Sequence, residues 1–209
     1  VIMASRSKSA FKKASKNEIL LPLLLSAIGL LSSVSVQSDG PAGDVSEDYM
    51  VVEARAQTKA FAQGLKETLM QGMKSEGPLA AIQLCNTEAP DIAAAHSKDG
   101  WEVGRTSEKL RNPNNAPDAW ESAVLNSFAQ RAAAGEPLAT MEASSREGGT
   151  FRYMKAIPVG GPCVVCHGEQ LAEPVATRLS ELYPEDNARG YQPGDLRGAF
   201  TLTYTFEKQ

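Results

Sequence analysis

Cysteine and histidine are scarce in this chain, which has three cysteines and two histidines in 209 residues. Three of these five side chains lie together in the segment Cys163-Val164-Val165-Cys166-His167. A zinc site at this segment would need further ligands, and Cys85 and His96 are both distant in the sequence. Structural zinc ligands usually come in pairs with short spacing, so the scarcity argues against zinc.

The residues around this segment also argue against a thioredoxin-type disulfide. Such a C-x-x-C ends a strand and begins a long helix, whereas here Gly160-Gly161-Pro162 precedes the first cysteine and Gly168 follows His167. We therefore predict a loop with one helical turn. On such a turn, two thiols three residues apart can form thioether bonds to the two vinyl groups of one haem, and the adjacent histidine is an axial ligand. The segment favours c-type haem attachment at Cys163, Cys166 and His167; a disulfide and a zinc site remain alternatives.

A surplus of positive charge is absent. The chain has a net charge of −4, and residues 1–38 alone carry five basic residues and one acidic residue, which leaves −8 for the remainder. An acidic domain is a poor candidate for binding nucleic acid or an anionic lipid surface. The sequence has no internal repeat, and its length after the N-terminal segment fits one domain with one core.

Residues 1–36 are predicted to be a signal peptide. Basic residues precede an apolar run at 19–36, and Ser33 and Ser35 supply small residues for a cleavage site. The run is also close to the roughly 18 residues of a membrane span, so an uncleaved membrane tether is the alternative. Both readings predict an exported protein, periplasmic or anchored facing the periplasm, where haem is attached to C-x-x-C-H segments. No cysteine directly follows the apolar run, which argues against a lipid-anchored lipoprotein. Residues 37–44 are predicted to be a linker, and 45–209 the domain.

Periodicity predicts an α+β fold. The expected elements are two long helices (46–75 and 78–96), a strand (101–106), a helix from Pro117 or Asp118, a hairpin (138–144 and 150–158, with its turn at 145–149), the Cys-His turn, a short helix (175–182) and a half-buried strand (199–206). This order predicts an antiparallel sheet with flanking helices.

Cys85 lies on the apolar stripe of the second predicted helix. A free cysteine there is equally consistent with core packing and with a thiolate haem ligand. Met70 and Met73 fit core packing better than iron ligation. His96 lies eleven residues after Cys85, about 16 Å along the same helix, so the two cannot reach one iron, and we expect His96 at the surface.

Several short motifs are spread over nearly all of residues 45–206. They are Ala80-Ala81-Ile82-Gln83-Leu84-Cys85 with Ala89-Pro90, Gly104-Arg105-Thr106-Ser107, Leu110-Arg111-Asn112-Pro113, Ala116-Pro117-Asp118-Ala119-Trp120-Glu121, Arg152-Tyr153-Met154-Lys155-Ala156-Ile157, Cys163 to Gly168, Tyr183-Pro184 and Gly194-Asp195-Leu196-Arg197-Gly198-Ala199-Phe200. Through them the chain resembles a family of exported single-haem c proteins with a PAS-like fold. The resemblance implies one covalent haem c, with His167 and Cys85 as its two axial ligands.

This ligation carries functional expectations. An anionic thiolate stabilises ferric iron, so we expect a low reduction potential, and six-coordination leaves no vacant site for a peroxidase-like enzyme. If Cys85 dissociates, a small diatomic gas such as CO or NO can bind. Candidate cationic partners for the haem propionates are Arg105, Arg111, Arg152 and Lys155. The expected role is a redox or gas sensor with a partner protein or a homodimer through the N-terminal helix; the alternative is a small low-potential electron-transfer protein.

Overall fold

A computed structural model describes residues 45–207, so the predicted signal peptide (1–36) and linker (37–44) lie outside the described residues. Within that range the α-helices are α1 (Glu47–Ser75), α2 (Pro78–His96), α3 (Ala119–Ala133), α4 (Val164–His167) and α5 (Glu173–Leu182). The strands are β1 (Trp101–Thr106), β2 (Glu142–Glu147), β3 (Thr150–Pro158) and β4 (Leu196–Thr205). Short 3-10 turns cover Pro113–Asn115, Leu138–Thr140 and Gly161–Cys163. The α+β prediction is confirmed.

The two long helices form a tight antiparallel pair because the residues at their junction and crossing suit it. Ser46 caps α1 by accepting a hydrogen bond from the Tyr49 amide. Gly77 joins the helices with a φ of 80°, which glycine adopts without strain. At the crossing, a Cβ on Gly72 would lie 2.5 Å from the Ala81 Cα, so only glycine permits this approach.

The four strands form one antiparallel sheet in the order β1-β4-β3-β2. The predicted hairpin is present, but its turn is shorter than expected. Gly148 and Gly149 alone connect β2 and β3, both with positive φ, as a tight hairpin turn requires. The predicted strand start at 138 is wrong, because Leu138–Thr140 forms a 3-10 turn before β2.

The sheet has a packed cluster on each face. One includes Phe61 of α1 with Phe151 and Leu202; the other includes Phe128 of α3 with Met154 and Ala199. The prediction of a half-buried terminal strand is therefore incomplete, because β4 buries Leu202 on one face and Ala199 on the other. In addition, β4 begins three residues and α5 two residues earlier than predicted. None of the helices within residues 45–207 is both long and apolar enough to cross a membrane.

Candidate functional site

The Cys-His segment forms a compact turn at the end of β3. The 3-10 turn Gly161–Cys163 leads directly into α4, and both Cys163 and Cys166 are half-buried free thiols. The Gly168 amide donates a hydrogen bond to the Val164 carbonyl over 2.9 Å and ends the turn. A Cβ on Gly168 would lie 2.5 Å from that carbonyl oxygen, so the residue after the histidine has to be glycine.

A second segment, residues 186–195, runs beside this turn and holds it. Val159 at the start of the turn exchanges backbone hydrogen bonds with Gly194 and Asp195 over 2.8–2.9 Å. At the other end, the Tyr191 amide donates to the His167 carbonyl over 3.0 Å. The backbone of the Cys-His turn is therefore fixed at both ends.

The imidazole of His167 is oriented by this neighbouring segment. Its Nδ1 lies 2.8 Å from the Ala188 carbonyl oxygen, which can only accept, so Nδ1 carries the proton and Nε2 carries a lone pair. Burial, with the nearby cations Arg111 and Arg197, lowers the pKa of His167 to about 3. The ring is therefore a neutral imidazole at physiological pH, with Nε2 available as a metal ligand.

Arg111 lies directly in front of this nitrogen. Its Nη1 is 3.4 Å from His167 Nε2, and its Nη2 donates to the Cys166 carbonyl. The guanidinium also pairs with Asp186, with Nε 3.1 Å from Oδ1. The carboxylate of Asp186 is almost fully buried, with a side-chain exposure of 1%. Arg111 was predicted as an anion partner, and the structure places it in the site.

Cys85 approaches the same place from α2. Ile82, one turn earlier on this helix, belongs to the apolar cluster in which Cys166 is partly buried. Burial raises the pKa of the Cys85 thiol, and the nearby guanidinium groups of Arg105 and Arg111 oppose the increase. Cys85 also raises the pKa of the Cys166 thiol, to a smaller extent than burial does. The third cysteine is thus close to the Cys-His turn, as the ligand hypothesis requires.

Two further arginines give the site a surplus of positive charge. Burial lowers the pKa of Arg105, and the groups that oppose this are the Cys85 thiol and the Tyr183 phenol. Burial likewise lowers the pKa of Arg197, whose Nη1 donates to Ser107 Oγ over 2.9 Å. Neither guanidinium has a carboxylate partner among the contacts of the described residues. Such a pair of desolvated cations is suited to bind an anionic group.

Arg152 and Lys155, the other two candidate anion partners, are not brought to this site. Arg152 pairs with Asp118 over 2.7 Å and stacks on the Trp120 ring, on the α3 side of the sheet. Lys155 lies 3.8 Å from Glu142, which also binds Arg55 of α1. The pleat of β3 directs the two side chains to opposite faces of the sheet, away from the end of the strand.

Sequence reasoning missed four contributors to the site, namely Asp186, Ala188, Tyr191 and Arg197. All four follow the Cys-His turn in the sequence. Asp186, Ala188 and Tyr191 lie in a segment without helical or strand periodicity, and Arg197 lies at the start of β4, before the alternating part of that strand. The motif Gly194-Asp195-Leu196-Arg197 is the one signal in the sequence for Arg197. His96, expected at the surface, is half-buried, and its ring centroid lies 5.8 Å from that of Phe61 in the core.

Comparison with known proteins identifies the family of this chain. The model of the Tll0287-like family matches residues 44–204. The chain belongs to the Tll0287-like family. Its structure also matches the crystal structure of the cyanobacterial heme-protein Tll0287, at 27% sequence identity and a TM-score of 0.57. That match covers 79% of this chain and 99% of the solved one. No curated protein matches the chain. The family resemblance drawn from the sequence motifs is confirmed.

Proposed function

We propose that this member of the Tll0287-like family binds one haem c and acts as a redox or gas sensor domain. The solved relative is a heme-protein, which supports a haem cofactor here. The observation that carries the proposal is the state of His167, a neutral imidazole whose Nδ1 is bound to a backbone carbonyl and whose Nε2 carries a lone pair and faces the Arg111 guanidinium. Coordination of a metal at Nε2 would require Nη1 of Arg111 to move aside, which its pairing with Asp186 through Nε allows. A histidine held in this way beside two cysteines on one turn is the donor set that covalent haem attachment needs.

The residues present fit the group well. Cys163 and Cys166 would form the thioether bonds, His167 would ligate the iron from one side, and Cys85 is the proposed second axial ligand. Haem would supply a one-electron couple, and a thiolate ligand favours its ferric state. Arg105 and Arg111 lower the energy of the Cys85 thiolate, because each opposes the effect of burial on its pKa.

The charges of the site also fit the two propionates. Arg105 and Arg197 lack carboxylate partners among the described contacts, whereas Arg111 is already paired with Asp186. Two guanidinium groups that the described contacts leave without a carboxylate match the two propionate carboxylates. We therefore propose Arg105 and Arg197 as the propionate partners, and we expect Arg111 to keep its ion pair with Asp186.

The position of Cys85 supports a sensor role. Cys85 belongs to α2, which packs along α1. A change in its ligation would therefore alter the position of α2 against α1. Release of the thiolate would also free a position for a small diatomic gas. The alternative is a low-potential electron carrier. It is favoured by Val165, which lies between the two cysteines and is 38% exposed. An exposed attachment turn would leave a bound haem accessible to a docking partner. Export, a membrane tether through residues 19–36, and a homodimer through α1 stay predictions.

Electron paramagnetic resonance of the oxidised protein, beside the Cys85→Ala variant, tests the ligation. We expect a low-spin thiolate signal that disappears in the variant, and a haem that stays attached after denaturation in both proteins. Met70→Ala is the matched control, because Met70 is 37% exposed on α1 and should leave the spectrum unchanged. An identical low-spin signal in Cys85→Ala would contradict His/Cys ligation. A Soret band of the reduced wild type that does not move with CO would contradict gas sensing and favour the electron carrier.

A further inference from the structure

The buried carboxylate of Asp186 is connected to His167 by a short chain of hydrogen bonds. Asp186 Oδ1 accepts from the Ala188 amide over 3.0 Å, and the carbonyl of the same Ala188 accepts from His167 Nδ1 over 2.8 Å. A single residue therefore separates the carboxylate from the imidazole. Hydrogen bonds from Arg111 and Arg189 outweigh burial and lower the pKa of Asp186, so it is ionised.

Arg111 closes this chain into a ring around the imidazole. Its guanidinium binds Asp186 on one side and lies 3.4 Å from His167 Nε2 on the other. It also reaches the carbonyls of Cys166 and Ala188. The surrounding segment is held as well, since the Asn187 amide donates to the Leu110 carbonyl over 2.7 Å.

We propose that Asp186 and Arg111 form a positioning pair that sets the reduction potential of the haem through His167, an inference that rests on the proposed function. Neither residue ligates the iron. Asp186 holds the Ala188 carbonyl that fixes the imidazole, and it places a buried negative charge close to the ring. Arg111 places a buried positive charge on the other side.

The opposite charges of Asp186 and Arg111 predict opposite effects on the reduction potential. A negative charge near the iron stabilises the ferric form, and a positive charge stabilises the ferrous form, both more strongly in a buried site than in water. Asp186→Asn removes the negative charge and keeps an oxygen that can accept from the Ala188 amide. Arg111→Gln removes the positive charge. If the pair acts through charge, its two single variants shift the potential in opposite directions, and the double variant returns towards the wild type.

Spectroelectrochemical titration of the haem-loaded protein tests this proposal. At a fixed ambient potential we expect the ferrous-to-ferric ratio to rise at least threefold in Asp186→Asn, which is about 30 mV for a one-electron couple at 59 mV per tenfold change. Arg111→Gln should lower the ratio by a similar factor. Glu185→Gln is the matched control, since it removes the same charge from the exposed residue that precedes Asp186 and should leave the ratio unchanged.

A purely structural role would give a different pattern. Single variants that shift the potential in the same direction, or not at all, would overturn the proposal. Arg111→Lys keeps the charge without the forked geometry, so retention of the wild-type potential in this variant supports the charge mechanism even if Arg111→Gln loads no haem. Loss of covalent haem from the wild-type chain in denaturant would instead refute the proposed function, which separates that failure from this one.

Discussion

The ionic cluster that joins α1 to the hairpin gives a prediction whose size follows from the structure. The carboxylate of Glu142 accepts hydrogen bonds from Arg55 of α1 and from the Tyr153 hydroxyl, the latter over 2.7 Å. These contacts lower the pKa of Glu142 to about 2, with the Arg55 hydrogen bond as the main cause, from an ordinary value of 4.5. The Glu142 side chain is 25% exposed, and Tyr153 is buried.

The full pKa difference corresponds to about 3.4 kcal/mol of stability at about 1.36 kcal/mol per pKa unit. Water reaches part of the cluster, so we expect about 1–2 kcal/mol. Because the pKa is lower in the folded state, this contribution is present above pH 4.5 and is lost as the pH falls towards 2. Glu142→Gln should therefore lower the free energy of unfolding at pH 7, and the difference from the wild type should shrink by more than half at pH 3.

Urea denaturation of the wild type and Glu142→Gln at pH 7 and pH 3 measures both effects. Glu136→Gln is the control, since Glu136 pairs with Arg131 at an exposed position and should change the free energy of unfolding little at either pH. A loss in Glu142→Gln that is equally large at both pH values would refute the electrostatic reasoning. It would indicate instead that the glutamine disturbs the packing around Tyr153.

Two further substitutions test the core and the Cys-His turn. Phe128→Ala should lower the free energy of unfolding by about 3–5 kcal/mol, because the Phe128 side chain is fully buried between α3 and the sheet. Ser127→Ala is the control, because Ser127 lies on the exposed side of α3. An equal loss in both variants would contradict the assignment of Phe128 to the buried face. Gly168→Ala should reduce covalent haem loading, measured by absorbance per mole of chain, because the new Cβ would lie 2.5 Å from the Val164 oxygen. Gly161→Ala is the control and should load normally, because a Cβ there would meet no atom within 4 Å. Normal loading in both variants would refute the steric argument.

The elements with regular periodicity could be predicted from the sequence, and those that depend on distant partners could not. The bounds of α2 and β1 were correct because Gly77 and Pro78 mark a helix boundary and the residues of β1 alternate. The hairpin turn was placed too broadly, because Ser145, Arg146 and Glu147 are polar yet belong to the edge strand β2. Polar residues on an edge strand are not distinguishable from turn residues by hydropathy alone.

The candidate site shows the same division. Cys163, Cys166 and His167 form a local motif whose spacing carries its own chemical meaning, so the sequence was sufficient to single them out. Charge alone suggests Arg152 and Lys155 as anion partners, and charge does not determine the direction in which a side chain points. Arg105 and Arg111 have the same charge, but both lie near the site. Arg105 is at the end of β1, close to the Cys85 thiol, and Arg111, in the chain after β1, reaches the Cys166 carbonyl.

The residues that orient His167 were beyond sequence reasoning for a physical reason. Asp186 acts through backbone atoms, because it holds the Ala188 amide while the Ala188 carbonyl holds the imidazole. Every residue has a backbone carbonyl, so the residue type at position 188, alanine, does not indicate that its carbonyl binds the imidazole. The local pattern Asp-x-Ala therefore has no recognisable chemistry until the fold brings it beside the Cys-His turn. The part of the site that would tune the iron is thus specified by tertiary structure, whereas the part that would bind it is specified by sequence.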